Sequence, residues 1–473
     1  MKLLTRGGRK FLFAGQGLSL QTGKYFGESV LVGMVTGIVV VAFRYGIDLV
    51  RHYVMEELGH HRFMSHLAEG RVFNIPALEH FADPHRWLLM VLPAIGAALG
   101  YLLIKVFTSV EHARGTGSAI WAYHNRNGYL PTTVIPVKGV ASLLTVGSGG
   151  SAGYEGPVTL IGSACGSTIG RLLNLTVRGR RIMMAAGLAA GIAALFQAPL
   201  AGAMFGFEVF YSSSDVEYET ILPCFIASAV SYSIFGCFFG WSPLFEMPHF
   251  GYENGLWLFM YFILALVVTY GARFYISTYN SIEHRFKRMR IPGVAKVALG
   301  GLFTGVVGFF MPDILGSSYS MINASLQCGY GHVFEEYAPV AIAGFIGFFF
   351  VKTLTTAFTV GSGGSGGLFA PALVCGGALG ASVGLFFDRI LPESFGIHPA
   401  AFALVGMAGF LASTIRIPMT AILIVAEISG NHALLVPAMW VCGISFWLNN
   451  GWALYRTQPH NRESSPVHSG KST

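Results

Sequence analysis

One stretch of this chain occurs twice. Residues 137–157 read VKGVASLLTVGSGGSAGYEGP and residues 351–371 read VKTLTTAFTVGSGGSGGLFAP, with 11 of the 21 aligned positions identical. The register persists downstream, where Gly162, Gly166 and Gly170 recur as Gly376, Gly380 and Gly384. A second pair follows. APLAGAMFGFE ends at Glu208 and IPMTAILIVAE ends at Glu427, each with a proline nine residues before the glutamate. A chain written this way folds as two copies of one arrangement, and the seam between them is the natural place for a site.

The copies are too apolar for water. Hydrophobic residues make up 53% of the chain and charged residues 11%, against about 25% charged in an ordinary soluble domain. Apolar segments recur along nearly the whole length, for example at 30–50, 87–107, 182–211, 220–240, 255–278, 338–360, 370–387, 400–412 and 433–449. Many are long enough to cross about 30 Å of hydrocarbon. The expectation is one polytopic, all-α membrane domain of two repeats, which excludes a water-soluble enzyme and points to a transporter or channel. The boundaries read as a basic N-terminus at 1–25, repeats at 26–240 and 250–450, and a last segment at 451–473 that holds Tyr455 and then a polar tail, RTQPHNRESSPVHSGKST, expected to be disordered. Six scattered cysteines without CxxC spacing suggest neither a metal site nor a disulfide framework. No cofactor is expected.

Basic residues fall in three places: Lys2, Arg6, Arg9, Lys10 and Lys24; Arg171, Arg178, Arg180 and Arg181; and Arg285, Lys287, Arg288, Arg290 and Lys296. The positive-inside rule puts all three, and both termini, in the cytoplasm. The net charge of +7 is then an orientation signal, and its division among short loops excludes nucleic-acid binding. The opposite side would carry His52, His60, His61, His66, His80 and His85. These lack companion ligands at zinc spacing and read as a solvated, histidine-rich loop.

The glycine-rich stretches GSGGSAGYEGP and GSGGSGGLFAP each precede an apolar segment with a proline near its start. Glycine allows a sharp turn and proline suits a first helical turn. Two helix N-termini are expected, at Tyr154–Pro157 and Leu368–Pro371, where free N–H groups favour an anion. One motif also holds an acid, Glu155. A carboxylate there would occupy the anion site itself and leave it on protonation, acting as gate and proton carrier. The second repeat has Phe369 at the matching position, so the halves are not equivalent.

These motifs resemble those of the CLC chloride channels and chloride/proton antiporters. GYEGP at 153–157 is similar to the family's GREGP, and GLFAP at 367–371 to its GIFAP. GTGSAI at 115–120 stands where GSGIPE is usual, and ALY at 453–455 matches the end of a terminal KPLY-type segment. The resemblance implies the CLC fold, with tilted and partial helices in two inverted repeats, and a homodimer in a prokaryotic inner membrane. It makes Glu155 the gating glutamate. It assigns the central anion to the amides of Leu368 and Phe369, the hydroxyl of Tyr455, and Thr116 in place of the filter serine. Gly156, Lys138, with its repeat partner Lys352, and Glu208 fall along the pathway. Glu208 and its counterpart Glu427 read as structural.

Three departures matter. Ala119 and Ile120 replace the Pro–Glu of GSGIPE, and Tyr154 replaces the arginine of GREGP. Where antiporters carry a second glutamate as the inner proton acid, this chain has Val209, which carries no proton. The expected function is chloride transport through a glutamate-gated pore with weak or absent proton coupling. The alternative is a chloride/proton antiporter with a non-standard inner route; a fluoride transporter ranks below both. An intramembrane enzyme would want a catalytic partner near Glu155, and the motifs offer none.

Overall fold

The computed structural model describes residues 7–58, 87–108, 115–242, 244–245, 255, 257–327, 338–392 and 395–468, with side chains from residue 25 onward. Of the histidine-rich stretch only His52 falls within it, paired with Glu56 and Glu57. His60, His61, His66, His80 and His85 lie outside the described residues, as do Lys2 and Arg6.

The described residues form sixteen α-helices. The first eight are α1 (Gly7–Val50), α2 (Leu88–Phe107), α3 (Thr116–Asn125), α4 (Val134–Gly147), α5 (Glu155–Leu172), α6 (Val177–Phe196), α7 (Pro199–Glu208) and α8 (Ile221–Phe239). The second eight are α9 (Trp257–Arg288), α10 (Gly293–Phe310), α11 (Tyr319–Gln327), α12 (Ala338–Gly361), α13 (Phe369–Ile390), α14 (Pro399–Thr414), α15 (Pro418–Ser429) and α16 (Leu435–Leu448). Eight helical stretches among the described residues are long and apolar enough to cross a membrane. Shorter apolar helices fill in between, so the protein is a multi-pass, all-helical membrane protein.

The segment 182–211 is not one helix. Gln197 adopts a left-handed conformation and Pro199 opens α7, so the run breaks into α6 and α7. Arg416 makes the same left-handed break between α14 and α15. Composition alone hides this because both sides are equally apolar. The helix α10 is a further candidate span. The basic cluster near 282–296 is largely helical, since α9 continues to Arg288. The arginines of 171–181 sit on helix ends rather than in a long loop. Arg180 and Arg181 donate to the carbonyls of Asn127 and Tyr123, and Arg178 pairs with Glu219.

Close helix approach depends on glycine. A Cβ on Gly166 of α5 would stand 1.9 Å from the Met183 carbonyl oxygen of α6, and one on its counterpart Gly380 would stand 2.2 Å from that of Phe402 on α14. Backbones in such contact exclude lipid and side chains alike. The inner helices α6 and α13 are accordingly the most buried of the candidate spans.

The tail corrects an expectation. Residues 456–468 of the polar tail follow a defined path of turns against the loop after α7. The amides of Ser212 and Ser213 donate to the carbonyls of Pro459 and His460 at 3.0 and 2.9 Å. Gln458 Nε2 donates to the carbonyls of Val209 and Ile415. A polar sequence docks here because the loop offers it unpaired backbone groups.

Candidate functional site

The two glycine-rich loops meet. Gly153 and Gly367, equivalent positions of the repeats, exchange backbone hydrogen bonds of 2.9 and 2.8 Å in an isolated antiparallel bridge. The helices that follow, α5 and α13, therefore begin side by side. A Cβ on Gly156 would lie 2.7 Å from the Gly367 Cα, so only glycine permits this contact.

Two further N-termini join them. Gly115, which precedes α3 with φ +87°, lies against the backbone of Gly156. Thr116, the first residue of α3, shares a 2.8 Å hydrogen bond with Thr159, which donates to the Gly156 carbonyl at 2.7 Å. From the other half, Tyr319 at the start of α11 donates to Glu155 Oε1. The starts of α3, α5 and α13 thus lie together, where free N–H groups and positive dipole ends favour negative charge, and the Tyr319 side chain reaches in from α11.

Glu155 is the acid present there. Its side chain is buried, and Oε2 accepts from the Ala370 amide at 3.3 Å. The acid of the first repeat therefore reaches across to the helix N-terminus of the second. Gly153 makes room for it, since a Cβ there would fall 2.0 Å from Oε2.

The other candidate residues divide. Leu368 and Phe369 are buried at the opening of α13. The Phe369 ring packs on Phe196 and Phe205, at centroid distances of 5.3 and 5.9 Å, so the counterpart of Glu155 serves an aromatic cluster. The Tyr455 ring lies against Gly117 on α3, with its phenol beside the Thr116 hydroxyl. Lys138 donates to Ser365 in the opposite glycine loop at 2.9 Å. Lys352 instead donates to the carbonyls of Ile314 and Gly316 and to the Ser318 hydroxyl, at 3.0, 2.8 and 2.8 Å. Val209 is fully buried among apolar side chains.

Glu208 and Glu427 lie away from this region and form a reciprocal pair. Glu208 accepts from the amides of Met419 and Thr420 at the start of α15, and from the Thr420 hydroxyl. Glu427 accepts from the amides of Leu200 and Ala201 at the start of α7. Each carboxylate caps the helix that carries the other.

Two groups of residues were not singled out from the sequence. Tyr319 lies in no repeated motif. The second group surrounds Glu217, a buried acid bonded through Oε1 to the Tyr211 hydroxyl and to His468 Nε2, the latter at 2.8 Å. Arg462 stands 4.0 Å from Glu217 Oε2. His124, at the end of α3 and outside the spanning helices, meets the Phe210 carbonyl through Nε2 at 3.0 Å and Ser465 through Nδ1 at 2.8 Å. A carbonyl only accepts, so Nε2 carries the proton and Nδ1 accepts from Ser465. Burial pushes this imidazole down to about 4, which keeps it neutral.

Comparison with known proteins follows the same lines. A family model described as voltage gated chloride channel matches residues 94–450. A ClcB-like protein of Ralstonia nicotianae is 30% identical over 360 residues, 75% of this chain and 81% of that one. The H(+)/Cl(-) exchange transporter ClcA of Yersinia pseudotuberculosis is 29% identical over 431 residues, 88% of this chain and 82% of that one. Among solved structures, a slow cyanobacterial Cl-/H+ antiporter superposes with a TM-score of 0.76 at 23% identity, covering 91% of this chain and 96% of that one. With two paired glycine loops, helix N-termini gathered around one acid and a family match over most of its length, the chain belongs to the CLC family.

Proposed function

We propose that this protein moves chloride through a pathway gated by Glu155 and exchanges it for protons that Glu155 carries. One observation carries the reading: the Glu155 carboxylate lies on the Ala370 amide, among the helix N-termini that would attract an anion. An ionised glutamate and a chloride compete for the same donors. Protonation removes the side chain's charge, weakens its hold and admits the anion. We place Thr116, Tyr455 and the opening amides of α13, at Leu368 and Phe369, along the anion path. Gly156 supplies its close backbone wall, and Lys138 contributes positive potential.

On the inner side the proton needs a carrier other than Val209. Glu217 is the buried acid nearest in sequence to Val209 on its C-terminal side, and His468, bonded to it, is partly exposed. Tyr123 and Tyr211 flank Glu217, and α3 runs from Tyr123 back to Thr116. That is a span of roughly 10 Å at the helical rise. Proximity to the arginines of 171–181 supports a cytoplasmic position for Glu217 and the tail. A homodimer in the inner membrane, with both termini cytoplasmic, completes the proposal.

A second reading, chloride conduction with weak or absent proton coupling, is favoured by Val209 itself. Chloride and proton flux, recorded together from liposomes under a chloride gradient, separates the two. Exchange drives protons against their gradient; conduction leaves them still. Glu155→Gln is expected to abolish proton flux and leave chloride flux insensitive to pH. Unaltered coupling in that variant would remove Glu155 from the mechanism.

A further inference from the structure

We propose that Tyr319 is a positioning residue that holds the Glu155 carboxylate in the anion's place and sets the pH at which the gate opens. This rests on the reading of Glu155 as the gate. The phenol donates to Glu155 Oε1 while the Ala370 amide holds Oε2, so the carboxylate is gripped at both oxygens by two elements of the second repeat.

The mounting of Tyr319 is unusually determined. A short turn at Pro312–Ile314 ends α10's descent, and the chain then passes Gly316 and Ser318, both in left-handed conformation at φ +63° and +60°. A serine in that region is uncommon and persists where surroundings enforce it. Here the enforcement is visible. Lys352 binds two carbonyls and the Ser318 hydroxyl of this segment. Gly316 also exchanges backbone bonds with the first glycine loop, donating to the Gly149 carbonyl and accepting from the Ala152 amide. The segment that delivers Tyr319 is thus tied to the loop that delivers Glu155. The Tyr319 ring rests edge-on against Phe245, at 6.3 Å between centroids.

The repeat sharpens the assignment. The corresponding helix of the first half, α3, begins with Thr116, whose hydroxyl meets Thr159 and the Tyr455 phenol. The two short helices open on the same region with different chemistry, one hydroxyl for the path and one for the gate. The groups facing Glu155 are Tyr319 on α11, the Ala370 amide on α13, Lys352 on α12, and the phenols of Tyr154 and Tyr455. Lys352 also anchors the loop, so Tyr319 is the contact that one substitution removes while the ring stays in place.

An ionised carboxylate only accepts, so the phenol must donate to it. That bond favours the charged form, and its loss favours protonation. Tyr319→Phe should therefore open the gate at lower proton concentration. The test is chloride efflux from liposomes across acid to neutral pH for the wild type, Tyr319→Phe, Glu155→Gln and the double variant. The expected result is an upward shift of the flux midpoint by roughly one pH unit in Tyr319→Phe. The double variant should be as insensitive to pH as Glu155→Gln alone. A Tyr319→Phe profile superimposed on the wild type, with Glu155→Gln still flat, overturns the role of Tyr319 and leaves the gate intact. A pH-sensitive Glu155→Gln overturns both. Tyr319→Leu, read the same way, serves if the phenylalanine variant does not reconstitute.

Discussion

Ionisable side chains buried in this protein each meet a stand-in for water, and the stand-ins differ with function. Lys352 has three oxygen partners and Lys138 one hydroxyl. Among the described residues neither stands within ion-pair distance of a carboxylate. Glu155 has donors that an anion could use in its place. Glu217 has a different set, a phenol, an imidazole and a nearby guanidinium, with the imidazole and guanidinium partly exposed. Through His468 and Arg462 this buried acid is joined to side chains that reach solvent. Glu217→Gln keeps the size and hydrogen-bonding capacity but carries no proton. Its expected phenotype is chloride flux without coupled proton flux, whereas Glu217→His should retain coupling. Coupling preserved in the glutamine variant, measured in the dual-flux assay, would return the inner route to some other group.

At the scale of elements, the repeats are cross-braced. The starts of α7 and α15 lack intrahelical acceptors for their first amides, and each borrows a carboxylate from the end of the other. Glu208 accepts three hydrogen bonds from a buried position, while Glu427 accepts two from a partly exposed one. Removing an acceptor leaves buried donors unpaired, at about 1–3 kcal/mol for each buried group. Glu208→Ala is therefore expected to lower the thermal midpoint of the purified protein more than Glu427→Ala. Equal losses would mean the amides at α15 recover partners after the change. The same bracing gives the acid after APLAG a helix-capping contact.

At the scale of the whole molecule, the tail docks on the loop after α7. His124 binds Ser465 as a neutral imidazole, and His468 binds Glu217. The His124 shift fixes a direction. Its folded value, about 4, lies below the ordinary 6.5 because burial disfavours the charged form. The unfolded chain then binds more protons between those values. Stability from this group is full above about pH 6.5 and is lost as pH falls toward 4, by roughly 3 kcal/mol in total. Thermal melts should drop across that window, and His124→Asn should reduce the drop. A pH-independent difference between the two proteins would exclude His124 as its source.

Particular residues show what could be read in advance. The duplicated GSGG loops and Pro157 and Pro371 mark the starts of α5 and α13, because glycine and proline act through local backbone geometry that travels with the sequence. The four-residue glycine spacing marks the α5–α6 and α13–α14 contacts for the same reason. Composition reports the membrane, since burial in lipid is a property of every residue in a span. Local sequence could not show that Glu155 reaches the amide of Ala370, that Tyr319 grips it, or that Glu208 and Glu427 cap each other's helices. It also took a polar tail for a disordered one. Those contacts join residues far apart in the chain, and their donors are backbone groups or ordinary side chains with no signature of their own. The sequence determined two copies of one arrangement, a membrane and an acid at a helix start. Only the tertiary structure decided what that acid touches, because a hydrogen-bond partner is set by which backbones the packed glycines bring together.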